Sequence, residues 1–381
     1  MKKKILFVFG TRPEAVKMAP ILHALESHRD SLNPLVCVTA QHREMLDDVL
    51  QLFNIRPAYD LNIMKDEQSL EHITKKVIDR LTPILKKEKP DLVLVQGDTS
   101  TAFLSTLASF YLKIPVGHVE AGLRTHNDLH PFPEEANRRL TDSLSALCFA
   151  PTLSAKKNLL KENIPEKRIF LTGNTVIDAL KWAVSKVHPF KNEKLKDFFC
   201  FRRGAENRRL ILVTAHRREN FGKPLMEICR AVRRVADAFP DVEIIYPAHP
   251  NPNVQKAVKK ILIRHPRILI LPPLNYLDFA QVIKSSYLVV TDSGGLQEEA
   301  PSLGKPVLVL RSRTERPEAV IAGTTKVIGT KKEKIVSEIS KLLRNESLYS
   351  KMARASNPYG DGRASERTIS AILHYFKNLP A

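Results

Sequence analysis

Two doubly wound, Rossmann-like α/β domains are what this chain of 381 residues predicts. Three observations carry the prediction. Short apolar runs rich in β-branched residues alternate with stretches of helical character, the pattern of parallel strands in βα units. The alternation breaks once, over a charged segment, and then restarts. The chemically distinctive polar residues fall just after the apolar runs, at the strand ends where open α/β sheets bind ligands.

In the first half, Ile5–Phe9 leads into GTRPEAVK, Pro34–Thr39 into AQHREML, and Asp91–Val95 into QGDTST. Ile114–Val119 then leads into EAGLR, Ala146–Ala150 into PTLSAKKN, and Arg168–Leu171 into TGNTVIDAL. Val187–Arg209 is charged and without clear period, so part of it reads as a linker. The rhythm resumes with Leu210–Thr214, Val242–Tyr246, Ile268–Leu271, Tyr287–Thr291 and Pro306–Leu310. The expected division is an N-terminal domain over 1–180 and a C-terminal domain over 181–362. An amphipathic helix from Arg363 would pack back on the first domain, and a ligand cleft is expected between the two.

Composition narrows the function. The chain is 43% hydrophobic and 27% charged, as in an ordinary globular protein. No run approaches the roughly 20 apolar residues of a membrane span. Basic Met1–Lys4 is followed by ILFVF and then GTRPE, too short an apolar core for a signal peptide, so a cytoplasmic protein is expected. The net charge of +19 suggests nucleic acid at first. Yet the cations are dispersed over Lys2–Lys4, Lys156–Lys157, Arg202–Arg209, Arg230–Arg234 and Lys256–Lys260, without interleaved stacking aromatics. A solvated basic face and a small anionic substrate explain the charge, so neither a nucleic-acid nor a membrane partner is expected. Cys37, Cys148, Cys200 and Cys229 are scattered, with no C-x-x-C pair, and read as buried free thiols.

The candidate site is read from loops after the runs. Asp292–Ala300, DSGGLQEEA, places Ser293, Gly294 and Gly295 where a strand turns into a helix, an arrangement suited to phosphate, with Glu298 and Glu299 a turn further on. Its ordinary alternative is a helix cap followed by acids that suit the dipole. GTRPEAVK is neither G-x-G-x-x-G nor a P-loop, which argues against nicotinamide cofactors and ATP hydrolysis. Its Arg12 and Lys17 can both face an anion. TAHRREN supplies His216 beyond a strand, for a diphosphate or a proton. His42, His216 and His249 lack metal-ligand spacing, so no metal is expected. Asp98, Glu120 and Glu134 form a carboxylate set; like charge and desolvation would separate their acidities and suit acid and base roles. Individually, Asp98 also reads as a turn cap and Glu134 as a first-turn helix acid.

Taken together, VQGDTST, GHVEAGLR, FPEEANR, TGNTVIDAL, AHRREN, TDSGGLQEEAPSLGKPVLVLR, TERPEA and NPYGDGRASER resemble the non-hydrolysing UDP-N-acetylglucosamine 2-epimerases, from GTRPEAVK to the C-terminal helix. The resemblance implies a glycosyltransferase-B-like fold, a homodimer without cofactor, and interconversion of UDP-GlcNAc and UDP-ManNAc. It implies acid/base roles for Asp98, Glu120 and Glu134, and a diphosphate contact for His216. Arg12, Lys17, Ser293, Gly294 and Gly295 would hold phosphates, Glu299 the ribose, and Phe279 would lie near uracil; Arg316 matches a further substrate-side arginine. A hydrolysing relative or a sugar transferase of the same fold is the alternative, although a transferase needs no proton exchange at C2.

Some relatives are activated by a second UDP-GlcNAc. Gln41, Arg217 and His249 match parts of that regulatory site, which Glu134 would border. Glu44 stands where those relatives have Gln, and Glu67 where they have Arg, and two acids would repel a diphosphate. Leu274 stands where some relatives carry Gln near uracil. Activation is therefore expected to be weak or absent, and saturation by UDP-GlcNAc hyperbolic. Sigmoidal initial rates that become hyperbolic on His249→Ala would contradict this.

Overall fold

Parallel pairing of the apolar runs generates both sheets of the computed structural model, which describes residues 2–40, 44–64, 69–186, 189–202 and 208–378. The first sheet holds β1 (Lys3–Phe9), β2 (Leu32–Val38), β3 (Tyr59–Asp60), β4 (Leu92–Gln96), β5 (Val116–Val119), β6 (Leu147–Ala150) and β7 (Ile169–Leu171). Their spatial order is β3-β2-β1-β4-β5-β6-β7. The second holds β8 (Arg209–Thr214), β9 (Val242–Pro247), β10 (Ile268–Leu271), β11 (Leu288–Thr291), β12 (Val307–Val309) and β13 (Thr325–Val327), ordered β10-β9-β8-β11-β12-β13. Among the described residues every strand pairing is parallel, for example Phe7 with Val36 and Leu94, and Val290 with Val213 and Leu308. These are two Rossmann-like doubly wound sheets.

The strands are apolar on both faces because helices cover both. Residues Ile5–Phe9 and Leu92–Val95 are all fully buried. In the second sheet, Ile211, Val213, Ile244, Tyr246 and Val290 pack with Ile228, Val232 and Val235 of the helix Lys223–Ala238. Each sheet reverses its winding at one place: between β1 and β4 in the first, between β8 and β11 in the second. Helices leave those adjacent strands toward opposite faces, so the loops after them part and leave room for a ligand. Arg12 follows β1, Asp98 follows β4, His216 follows β8 and Ser293 follows β11.

The structure departs from the sequence reading in four places. Edge strands β3 and β13 are too short to stand out as apolar runs and are defined by pairing with β2 and β12. The charged segment read as linker contains the helix Glu193–Arg202, whose Phe199 stacks on Phe190 with centroids 4.7 Å apart. Its approach is fixed by Asp278, which accepts the N–H groups of Lys191 and Asn192. Of the four cysteines, Cys200 is exposed, because it lies on that helix rather than in a strand or core helix.

The chain divides into two compact units, 1–179 with 359–381, and 180–358. The final helix, Ala364–Lys377, belongs to the first unit. Buried Asp178 holds it there: one carboxylate oxygen accepts the Ser365 N–H at 2.8 Å and hydroxyl at 2.5 Å, the other the Ala364 N–H at 3.2 Å. Upstream, Asn174 N–H donates to the Tyr359 carbonyl at 2.7 Å. Asp178→Ala should leave the first-turn amides of this helix unsatisfied and lower stability by about 1–3 kcal/mol. Urea unfolding measures the loss, and limited proteolysis should cut first near residue 364.

Candidate active site

The first unit assembles the three predicted carboxylates. Glu120 leaves β5 with φ +70, a left-handed conformation that costs a non-glycine residue energy and clusters at functional turns. The Glu120 and Ala121 N–H groups both donate to the Phe149 carbonyl at 3.1 Å, which fixes the turn. Its buried carboxylate is engaged from three directions. Lys17 of the helix Arg12–Leu25 ion-pairs with it, Gln96 at the end of β4 donates to it, and Asn174 beyond β7 donates at 3.4 Å. Lys17, expected on a phosphate, is thus occupied by Glu120, because its position in the second turn of that helix faces the end of β5.

Asp98 lies two residues past Gln96, half-buried. Its carboxylate pairs with Arg138 and its carbonyl accepts from Asn137 Nδ2 at 3.0 Å. Both partners come from the helix Glu134–Leu144, so the helix that opens with Glu134 is docked against the Asp98 turn. One carboxylate oxygen of Glu134 is buried and has no hydrogen-bond partner among the described residues. A buried unsatisfied acceptor is costly and is the kind of group a substrate hydroxyl or proton satisfies. Neighbouring Glu135 has a different duty: fully buried, it accepts the N–H groups of Thr125 and His126 and pairs with Arg138 at 3.0 Å, holding the loop that precedes the helix.

Sequence reasoning missed Gln96, Asn137, Arg138 and Asn174 as supports, although all four lie in the quoted motifs VQGDTST, FPEEANR and TGNTVIDAL. It also missed Glu14. This buried carboxylate accepts the N–H groups of Gly10 at 3.1 Å and Thr11 at 2.8 Å, and the Thr99 hydroxyl at 2.8 Å. It thereby ties the loop after β1, which presents half-buried Arg12, to the loop after β4.

In the second unit, Asp292 organises the loop after β8. One of its oxygens accepts the N–H groups of His216 and Arg217 at 2.9 and 2.8 Å and the Asn220 amide at 2.9 Å. The other lies 3.6 Å from His216 Nδ1 and has no hydrogen-bond partner among the described residues. The His216 ring stacks on His249 with centroids 5.7 Å apart. Partial burial holds the His216 imidazole below its usual range, Asp292 opposing and His249 and Arg217 reinforcing. Ser293 donates its N–H to Thr291 Oγ1 at 2.9 Å, and Gly294 lies against Arg217, whose Nη2 is 3.6 Å from where a Cβ would stand. Arg217, matched to a regulatory site, therefore lies beside the Ser293–Gly295 turn. Glu299 Oε2 stands 3.6 Å from a Cβ built on Gly295. Arg316 pairs with buried Glu298, leaving Glu299 as the half-exposed acid of that short helix.

Phe279 is half-buried on the helix Tyr276–Ser285, which crosses from β10 back to β11 and packs against the turn Ala300–Leu303 that continues the Gly294–Glu299 helix. Gln41, His42 and Glu67 and the side chain of Glu44 lie outside the described residues. Among the described residues no group of three or more His, Cys, Asp or Glu could hold a metal, and no helix is long and apolar enough to cross a membrane.

Burial makes the Glu14 carboxyl harder to ionise than the ordinary 4.5, against the opposing donors of Thr11, Thr99 and Gly10. The folded state therefore holds this proton more tightly than the unfolded chain. Its contribution to stability is largest below the unfolded value and declines as pH rises through the raised one. Glu14→Gln keeps the acceptor for Gly10 and Thr11 and removes the charge. Urea unfolding from about pH 4.5 to about 8 should show the variant gaining on the parent as pH rises. A difference that stays flat would contradict the assignment.

Residues 23–373 match the family model described as UDP-N-acetylglucosamine 2-epimerase. The UDP-N-acetylglucosamine 2-epimerase of Escherichia coli (strain K12) is 52% identical over 371 residues, 97% of this chain and 98% of that protein. The crystal structure of UDP-GlcNAc 2-epimerase from Neisseria meningitidis bound to UDP-GlcNAc is 48% identical, covers 97% of this chain and 100% of that one, and superposes with a TM-score of 0.84. An S. aureus MnaA–UDP co-structure is 50% identical, covers 99% of this chain and 98% of that one, and has a TM-score of 0.85. In sequence over nearly its whole length, and in fold, this chain belongs to the UDP-N-acetylglucosamine 2-epimerase family.

Proposed function

We propose that the protein interconverts UDP-N-acetylglucosamine and UDP-N-acetylmannosamine by eliminating and re-adding UDP, without hydrolysis. The observation that carries this reading is the linkage of three carboxylates, Asp98, Glu120 and Glu134, through Gln96, Asn137 and Arg138. Family membership supplies the substrate class, and relatives with UDP-GlcNAc or UDP bound support it.

The C2 hydrogen of the sugar is not α to a carbonyl, so direct deprotonation is too difficult. Breaking the C1–O bond develops positive charge at C1 and acidifies C2–H. One carboxylate takes the C2 proton, the C1–O electron pair leaves with UDP, and a C1=C2 double bond forms in 2-acetamidoglucal. Re-addition of UDP at C1, with a proton delivered to the opposite face of C2, gives the epimer. Acid and base groups flanking one carbon, and cations on the leaving diphosphate, are what this requires. No redox cofactor or metal enters the balance.

In this reading Asp98, Glu120 and Glu134 act on the sugar ring. Lys17 orients Glu120. His216, Arg12 and the Ser293–Gly295 turn meet the diphosphate, Glu299 the ribose, and Phe279 and Arg316 other parts of the nucleotide sugar. The working form is a homodimer in the cytoplasm, where it feeds cell-surface polysaccharide synthesis.

Incubation with UDP-GlcNAc in deuterated water, followed by NMR, tests the reading. UDP-ManNAc carrying deuterium at C2 is expected. Free ManNAc with UDP would replace it by a hydrolysing epimerase, and no exchange at C2 would overturn it. Asp98→Asn, Glu120→Gln and Glu134→Gln should each lose about 10²- to 10⁴-fold in kcat, with a smaller loss for His216→Asn. Near-normal turnover in all four would exclude these residues from the chemistry.

A further inference from the structure

A carboxylate with no part in the sugar chemistry lies behind the three acids. Asp142 is fully buried on the helix that opens with Glu134. Its Oδ1 is 2.6 Å from His118 Nδ1, and its Oδ2 accepts the Gly122 N–H at 3.1 Å. The other ring nitrogen of His118 lies 2.7 Å from the Gly97 carbonyl oxygen. A carbonyl only accepts, so Nε2 carries hydrogen. Burial alone would raise the Asp142 carboxyl, but His118 and Arg124 outweigh it and hold the group below its usual range. The ring thus bridges the Gly97 carbonyl and the Asp142 carboxylate. Arg124 completes the set: its Nη2 is 2.7 Å from Asp142 Oδ2, and its Nε and Nη2 reach Glu162 at 2.8 and 2.6 Å.

The contacts to Gly97 and Gly122 each end beside a reacting residue. Gly97, at φ +72, precedes Asp98. Gly122, at φ +85, follows Glu120 by two residues, and a Cβ there would stand 2.4 Å from the Ala155 carbonyl oxygen. The helix that carries Asp142 carries Glu134. We propose that Asp142, acting with His118, is the positioning hub of the active site: one buried carboxylate that ties together the three segments bearing Asp98, Glu120 and Glu134. This rests on the reading of those three as the acid/base set. Neither Asp142 nor His118 touches the sugar; both act through the turns they hold.

Loops at strand ends are the mobile parts of a doubly wound sheet, and the elimination needs groups on two faces of one carbon. A displacement of about 1 Å in such a group can cost 10²-fold in rate. Charge-assisted bonds from one rigid anchor to all three carriers keep the acids in register with one another.

His118→Gln tests this, since one amide cannot bridge both acceptors. It should lower kcat for C2 exchange by about 10²-fold while KM for UDP-GlcNAc changes less than about threefold. In an Asp98→Asn background the same substitution should cost several-fold less, because the residue it positions is already disabled. A purely structural role would lower both backgrounds equally, and that outcome, or an unchanged kcat, overturns the proposal. Asp142→Asn is the second variant, with the same pattern expected; if it does not fold, His118→Gln decides. Amide hydrogen exchange provides a readout free of activity. Gly97–Thr99 and Glu120–Gly122 should exchange about tenfold faster in His118→Gln, with β8–β13 unchanged. If the unaltered protein fails to epimerise, the functional reading falls while exchange still judges the hub. Equal protection in both proteins overturns the hub alone.

Discussion

The carboxylate of Glu120 is where separately generated parts of the first unit meet. A helix supplies Lys17, a strand end supplies Gln96, and the loop after β7 supplies Asn174. A buried carboxylate is tolerated only when cations and donors replace its lost water. Here the replacements come from three segments that the sheet order brings to one edge. Removing any of them would leave a charge short of its solvation, so the turn geometry, the positive φ and the polar partners hold one another in place.

The second unit solves a related problem with Asp292. One of its oxygens absorbs three donors and fixes the loop after β8, while the other is left toward the His216 ring. In both units a carboxylate beside the winding reversal, Glu14 after β1 in the first and Asp292 after β11 in the second, accepts the backbone N–H groups of a strand-end loop. The side chains that meet solvent are then held by residues that do not. The high net charge belongs elsewhere, to exposed Lys and Arg residues on helix faces such as Lys75, Lys259 and Lys260.

The fold is legible in the sequence because parallel strands buried on both faces must be continuously apolar; Ile5–Phe9 and Leu210–Thr214 announce themselves. The edge strands Tyr59–Asp60 and Thr325–Val327 do not, since pairing rather than composition makes them strands. For the site, sequence order places Asp98, Glu120 and His216 at strand ends. It cannot reveal that Lys17 is taken by Glu120, that Arg138 pairs with Asp98, or that Glu135 and not Glu134 holds the preceding loop. Those partnerships join residues of different elements, or of one helix in its final docking, and only packing decides them. Asn174 and Arg138 lay within conspicuous motifs, and their amide and guanidinium groups beside carboxylates were the available signal.

The clasp of Asp178 on Ser365 makes the first unit discontinuous in the chain, whereas the second is built from one uninterrupted stretch. The surface that receives the helix Ala364–Lys377 therefore stays uncovered until the chain has passed through the whole second unit and returned, and the first unit closes only on a contact of very long sequence separation, the kind that forms slowly.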